Sequence, residues 1–284
     1  MLAIVLSGCG GSADLEDPPP PSFDSIPVVP RTELESTGWG NLVGTVTFEG
    51  EIPNRNIPAA MESHADRDHC KKDDPKNDPK DRTWVVDPAT RGVANIVVYL
   101  LAPKNKFFKQ QPSDKKTWKN EEVVDQPYCM FEPHVLVLYP QYFDGKRYAP
   151  TGQVLTVKNS APIAHNFVIE GSSTKNPSKG SSLPAAKDKN VPTLEFKEIK
   201  YDKQELSMKC NMHNWMTGFA LTFDHPYAAV TDAKGKFEIK NAPSGAEVSV
   251  MAWHETLKRF VPGDGKPIKL EDGKTTTFDF KIQK

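Results

Sequence analysis

The chain has 284 residues, 37% of them hydrophobic and 26% charged, with 25 prolines and a formal net charge of -1. That length allows one large domain or two ordinary ones. The near-neutral balance excludes the basic surplus that nucleic-acid binding requires, and no apolar run approaches the length of about 18 residues that a membrane-spanning helix needs. The hydrophobic fraction is low, yet sufficient for β domains whose strands keep one face in water.

The first residues, "MLAIVLSGCGGS", end a short apolar run with Leu6, Ser7, Gly8 and Cys9. This resembles the lipobox of bacterial lipoproteins. The resemblance implies a signal over 1–9, a lipid on Cys9, and a protein outside the cytoplasm, held to a bacterial membrane by that anchor and otherwise soluble. Two features depart from the pattern. A positive n-region is missing, and the apolar run is shorter than the usual ~7–15 residues. Both fit a start codon assigned too late; the alternative is an ordinary terminus that contains a cysteine. Residues 10–38 follow as a Pro-rich linker, "PPPPSFDSIPVVPR" within it favouring extended polyproline II, a stiff spacer with no core of its own.

Beyond the linker the chain reads as all-β. "NLVGTVTFEG" (41–50) alternates in part and ends at Gly. "KKDDPKNDPKD" (71–81) mixes charge signs around prolines and reads as a solvated loop. "VANIVVYLLAP" (93–103) is a short apolar run stopped by Pro103. "HVLVLYP" (134–140) and "GQVLTVKNS" (152–160) alternate, and "HNFVIEG" (165–171) follows a turn containing Pro162. The Ser/Lys/Pro/Gly-rich piece 171–192 reads as a loop, and 194–200, 204–210 and 217–224 complete the strand series. Sustained helical periodicity is absent.

"KCNMHNWMTG" (209–218) sets Cys210, His213 and Met216 at intervals of three. A thiolate, two imidazoles and a long axial thioether make the type 1 blue-copper site, and His165, on a different strand, supplies the second imidazole. The run from Gly152 through the strand to Asn159, the short turn and His165-Asn166 resembles a cupredoxin of the plastocyanin type. The Cys-x2-His-x2-Met spacing resembles the short ligand loop of amicyanins. This resemblance covers 121–224 and implies a Greek-key β-sandwich with one copper ion that passes single electrons between redox protein partners, and no substrate turnover by this chain alone. It implies metal ligands His165, Cys210, His213 and Met216, and Asn166 as a hydrogen-bonding tie between the two ligand segments. It also implies an exposed His213 within an apolar docking patch of Met212 and Trp215, joined by Phe219; the alternative is that Trp215 and Phe219 point inward. Asn214 stands where amicyanin-like loops often carry Pro, so a looser His213 is expected. The sequence lacks a CxxCH haem motif, a Cys-x3-Cys pair and the His-Cys-His triplet of multicopper oxidases.

Four cysteines are present. With Cys9 lipidated and Cys210 on a metal, a Cys70–Cys129 disulfide is the simple expectation in an oxidising compartment. A second metal site with His69 or His134, or two free thiols, are the alternatives.

The C-terminal part, "AVTDAKGKFEIKNAPSGAEVSVMAWHE" onward, resembles the carboxypeptidase regulatory-like β-sandwich, with turns at "DAKGK" (232–236) and "APSGA" (242–246). The first strands of that family match "GTVTFEGEIP" (44–53) and "ANIVVYL" (94–100). A split domain, 39–110 plus 225–284, with the cupredoxin-like domain inserted, is expected; two consecutive sandwiches are the alternative. The resemblance implies a scaffold role without peptidase activity. His64, His69, His134, His225 and His254 have no assigned role, and a second metal site among them stays open. A non-redox copper-binding or surface-interaction protein with the same fold is the competing function.

Overall fold

In the computed structural model, residues 30–110, 118–188, 190–261, 263 and 265–284 are described; Cys9 and residues 10–29 of the linker lie outside them. Residues Arg31–Lys284 form one compact unit. Within it, four sheets stack face to face.

The innermost logic is the period-two alternation of side chains along a strand. Gly38–Phe48 buries Gly40, Leu42, Gly44, Val46 and Phe48 on one face and turns the alternate residues outward. It pairs with Lys236–Ser244 and, in parallel, with Thr275–Thr277 and Phe280–Ile282. A second sheet runs Ala228–Val230, Val97–Leu101, Glu247–His254 and Lys258–Arg259, with Lys266–Lys269 also on Glu247–His254. Val97 to Leu100 are all buried. A strand covered on both faces reads as a continuous apolar run, and both faces are covered here.

One cover is the first sheet. The other is a five-stranded sheet, in the order Lys179–Leu183, His165–Glu170, Leu206–Lys209, Thr217–Thr222 and Val135–Leu138, the last pair parallel. Its strands divide their side chains between two cores. Leu136, Leu138 and Ala220 pack inward against Val124, Leu155 and Val157. Those three belong to a three-stranded sheet of Thr193–Phe196, Val154–Lys158 and Glu121–Asp125. Val135, Val137, Phe219 and Leu221 point the opposite way and pack with Val97–Leu100 and Trp253. Among the described residues, Gly38–Phe48 and Val97–Leu101 pair as strands only with strands between 228 and 282. Gly235 and Gly245 close the turns at 232–236 and 242–246 in the left-handed region, φ 76° and 81°, which glycine enters at no steric cost.

Three segments differ from the sequence expectation. Lys179–Leu183, inside the expected loop 171–192, is an edge strand on His165–Glu170. Its first four residues are exposed and polar, so backbone pairing alone, not an apolar pattern, makes it a strand. Thr32–Glu33, inside the expected linker, pairs in parallel with Lys106–Phe107. Arg31 fixes it, lying 4.6 Å over the Phe143 ring and 3.4 Å from Asp224. Third, the stretch before the charged loop forms two helical turns, Ala59–Glu62 and Arg67–Cys70.

Candidate metal centre

The antiparallel pair Leu206–Lys209 and Thr217–Thr222 places Lys209 opposite Thr217. Residues 210–216 are therefore the loop closing that hairpin. Two backbone bonds tighten it: Cys210 N–H donates to Met216 O (3.3 Å), and Met216 N–H donates to His213 O (2.8 Å). On the other side, Val168 lies opposite Lys209. Continuing that register toward His165 carries it alongside the loop. The turn before His165 is set by Asn159, fully buried, whose Nδ2 donates to Ile163 O (2.8 Å) and Pro184 O (2.8 Å) and whose Oδ1 accepts from Ala161 N–H (3.0 Å). Sequence reasoning treated Asn159 only as a strand end. A buried amide with several backbone partners behaves as a built-in turn, and a lone Asn carries no sequence signal for it.

The ring nitrogen Nδ1 of His165 lies 4.0 Å from Cys210 Sγ, and Nδ1 of His213 lies 3.8 Å from it. Asn166 ties the two segments: its Oδ1 accepts N–H groups from Asn211 (2.7 Å) and Met212 (3.3 Å) and the Cys210 thiol (3.3 Å). His165 and His213 are 0% exposed, Met216 1% and Cys210 2%, so the pole is closed to water. Burial pushes the His165 imidazole down to about 3, helped by the neighbouring His213. Burial also lowers His213, opposed by its hydrogen bond to Asp66. Both rings are thereby held neutral, the form whose lone pair binds a metal.

The donor set can be tested for fit. A metal bonding a thiolate at about 2.3 Å and ring nitrogens at about 2.0 Å in a trigonal plane sets sulfur and nitrogen about 3.7 Å apart, and a tetrahedral angle shortens this to about 3.5 Å. The observed 3.8 and 4.0 Å lie nearer the trigonal figure. Met216, buried on the same hairpin loop, adds a thioether to the pole that holds the thiol and the two imidazoles.

One expectation is overturned: His213 is not exposed. The segment 57–70 covers it as a strap. Asp66 Oδ2 accepts from His213 Nε2 (3.1 Å), and the His64 ring sits 4.8 Å from the His213 ring. Cys70 and Cys129 are joined in a disulfide that staples the strap down, and both sulfurs lie within 4.8 Å of a His213 ring nitrogen. The docking patch changes with it. Met212 is 47% exposed, but Trp215 donates its Nε1–H to Cys129 O (3.1 Å) and packs against His64 at 5.1 Å. Phe219 faces the other core, 5.5 Å from Trp253. The strap escaped sequence reasoning because its two helical turns are short. The run of His64, Asp66 and His69 ahead of Cys70 was its only signal.

The remaining histidines have ordinary partners. His134 Nε2 bonds Glu255 Oε1 (2.8 Å), His254 Nε2 donates to Thr83 O (2.7 Å), His69 Nε2 to Pro127 O (3.0 Å), and His225 lies among Phe108, Phe223 and Tyr227. Among the described residues, the groupings with metal-type spacing all include His213.

No family model matches the chain, and no curated protein matches it. Solved cupredoxins are similar to part of it. A purple cupredoxin from Nitrosopumilus maritimus is 12% identical, with 36% of this chain and 98% of that one covered and a TM-score of 0.25. The reduced state of a single-site amicyanin mutant is 13% identical over 44% of this chain and 99% of that one, TM-score 0.28. Amicyanin from Paracoccus versutus is 11% identical over 46% and 99%, TM-score 0.27. At such identities and TM-scores, the reading of this chain rests on its own residues.

Proposed function

We propose that this chain is a type 1 copper protein that carries single electrons between redox protein partners and turns over no substrate alone. One observation carries the reading: two imidazole Nδ1 atoms within 4.0 Å of one thiol sulfur, in a pocket closed to water. Copper, when bound, supplies a one-electron couple. Cys210 would hold the ion by its thiolate, His165 and His213 by their ring nitrogens, and Met216 by a thioether that would tune the potential. Asn166 and the hairpin hold these groups in one arrangement for both oxidation states, so little has to move when charge changes. The burial of His213 favours a second reading, a copper-holding protein without a redox partner, since no ligand edge meets solvent.

The rest of the reading concerns place and frame. The disulfide suits an oxidising compartment, which agrees with a periplasmic or surface lipoprotein tethered through Cys9. The segments 39–110 and 225–284 are read as one split carboxypeptidase regulatory-like scaffold around the copper domain at 121–224. Lipid on Cys9 is tested by mass spectrometry of the membrane fraction.

The test of the metal is the spectrum of the protein with one equivalent of Cu(II). An intense band near ~600 nm, the mark of a thiolate–Cu(II) bond in such sites, is expected, and its loss in Cys210→Ser. A colourless complex overturns the type 1 reading. A blue complex with no electron self-exchange, measured by NMR line broadening in half-reduced samples, selects the second reading.

A further inference from the structure

The strap that covers His213 brings a carboxylate to the outer face of that ring. Asp66 Oδ2 is 3.1 Å from Nε2, while Nδ1 of the same ring is 3.8 Å from Cys210 Sγ. An ionised carboxylate only accepts hydrogen bonds. Nε2 must then carry the proton, and the Nδ1 lone pair is left facing the sulfur. We propose that Asp66 is a positioning residue for the metal centre, fixing the tautomer and orientation of His213 from a segment outside the ligand hairpin. The proposal rests on the copper reading for its effect on metal, though not for its effect on the ring.

Several contacts make the strap a fixed support. Cys70 is bonded to Cys129, Met61 is fully buried in the core that holds Cys210 and Met216, and the His69 ring lies 5.8 Å from that of Tyr128. Tyr128 OH in turn donates to Asp74 Oδ2 (2.7 Å). The backbone N–H of Asp66 donates to His64 Nδ1 (3.2 Å). His64 is thus committed to shaping the strap, its ring 4.8 Å from that of His213. His165 has no counterpart support: its Nε2 makes no hydrogen bond among the described residues. The two imidazoles are therefore held by different means, one by packing and the other by a carboxylate. A carboxylate on the outer nitrogen makes the ring a stronger donor. That favours the more highly charged Cu(II) and keeps the ring from swinging away despite Asn214 in the loop.

The experiment compares wild type with Asp66→Ala, Asp66→Asn and Asp66→Glu. In metal-free protein, the 15N shifts of the His213 ring nitrogens report which one carries the proton. Wild type is expected to show a single Nε2–H form, and Asp66→Ala a mixture. Asp66→Asn, nearly the same shape, keeps an acceptor and should keep the tautomer, which guards against a folding artefact. In copper-loaded protein, Asp66→Ala should bind Cu(II) about 10–100-fold more weakly. With the loss confined to the oxidised form, the potential rises by about 60–120 mV, at about 59 mV per tenfold; Asp66→Glu should recover part of it. An Nδ1–H form in wild type, or an unchanged tautomer and unchanged affinity in Asp66→Ala, overturns the proposal. A wild type with the Nε2–H form but no blue band supports the role of Asp66 and overturns the copper reading.

Discussion

Removing the Cys70–Cys129 bridge, as Cys70→Ala with Cys129→Ala, tests how the strap is held. The bridge closes a loop with a sequence separation of 59. Loop-closure entropy for that length corresponds to about 4 kcal/mol at 25 °C. The strap's other anchors are of similar size. Burial of Met61 contributes about 2–3 kcal/mol, and the bonds Asp66–His213 and His69–Pro127 about 1 kcal/mol each. Without the staple the segment 57–70 should therefore open locally while the sheets stay folded. Urea unfolding measures the global loss, expected at up to about 4 kcal/mol. Hydrogen exchange measures the local one: the amides of His69 and Cys70, both bonded to Asp66 O at 3.0 Å, should lose protection first. A variant within about 0.5 kcal/mol of wild type with both amides still protected would refute this account of the staple.

Asn166→Ala should remove the acceptor of the Asn211 and Met212 N–H groups, which water can then reach, costing about 0.5–1.5 kcal/mol, read as a lower melting temperature and a broadened blue band. Met216→Leu removes the thioether proposed to donate to the oxidised ion. The potential should rise in voltammetry while the blue band persists. His225, buried among aromatic rings, is pushed down from 6.5 to about 4 by burial. Between those values the unfolded chain takes up a proton that the folded chain refuses. Stability should thus fall as pH drops from 6.5 toward 4, by up to about 3 kcal/mol. In His225→Phe, the difference between unfolding free energies at pH 7 and pH 4 should shrink by that amount.

What the sequence made legible follows from how far apart the cooperating residues lie. Cys210, His213 and Met216 share one hairpin loop, so their spacing is itself the geometry. His165 needed only the next strand, and its place beside the loop follows from antiparallel register. The strands with β-branched alternation, such as Gly38–Phe48, were legible for the same local reason. Asp66 was not. Its partner is 147 residues away, and the link depends on a disulfide for which the cysteine pattern left alternatives. Lys179–Leu183 was missed because an exposed polar edge strand carries no apolar period. Phe219 was ambiguous because alternation tells that neighbours face opposite ways, not which core each meets.

The same ambiguity has a consequence for how the site is built. Val135, Val137, Phe219 and Leu221 form an apolar outer face on the ligand-bearing sheet, packed with Val97–Leu100 and Trp253. A face of that kind left in water would be an association hazard, so the sheet that covers it is part of the support of the sheet that carries Cys210 and His165. His134 and Glu255, 2.8 Å apart and nearly buried, bond across this junction and fix its register, since a buried polar pair has few alternative partners. The strap adds a second hold at the ligand hairpin's loop, on His213. Flanking chain therefore holds the ligand sheet twice, once through an apolar face and once through Asp66 on His213. A ligand hairpin clamped from both sides has little freedom to follow a change in charge at its pole, which is the condition a fast single-electron carrier needs.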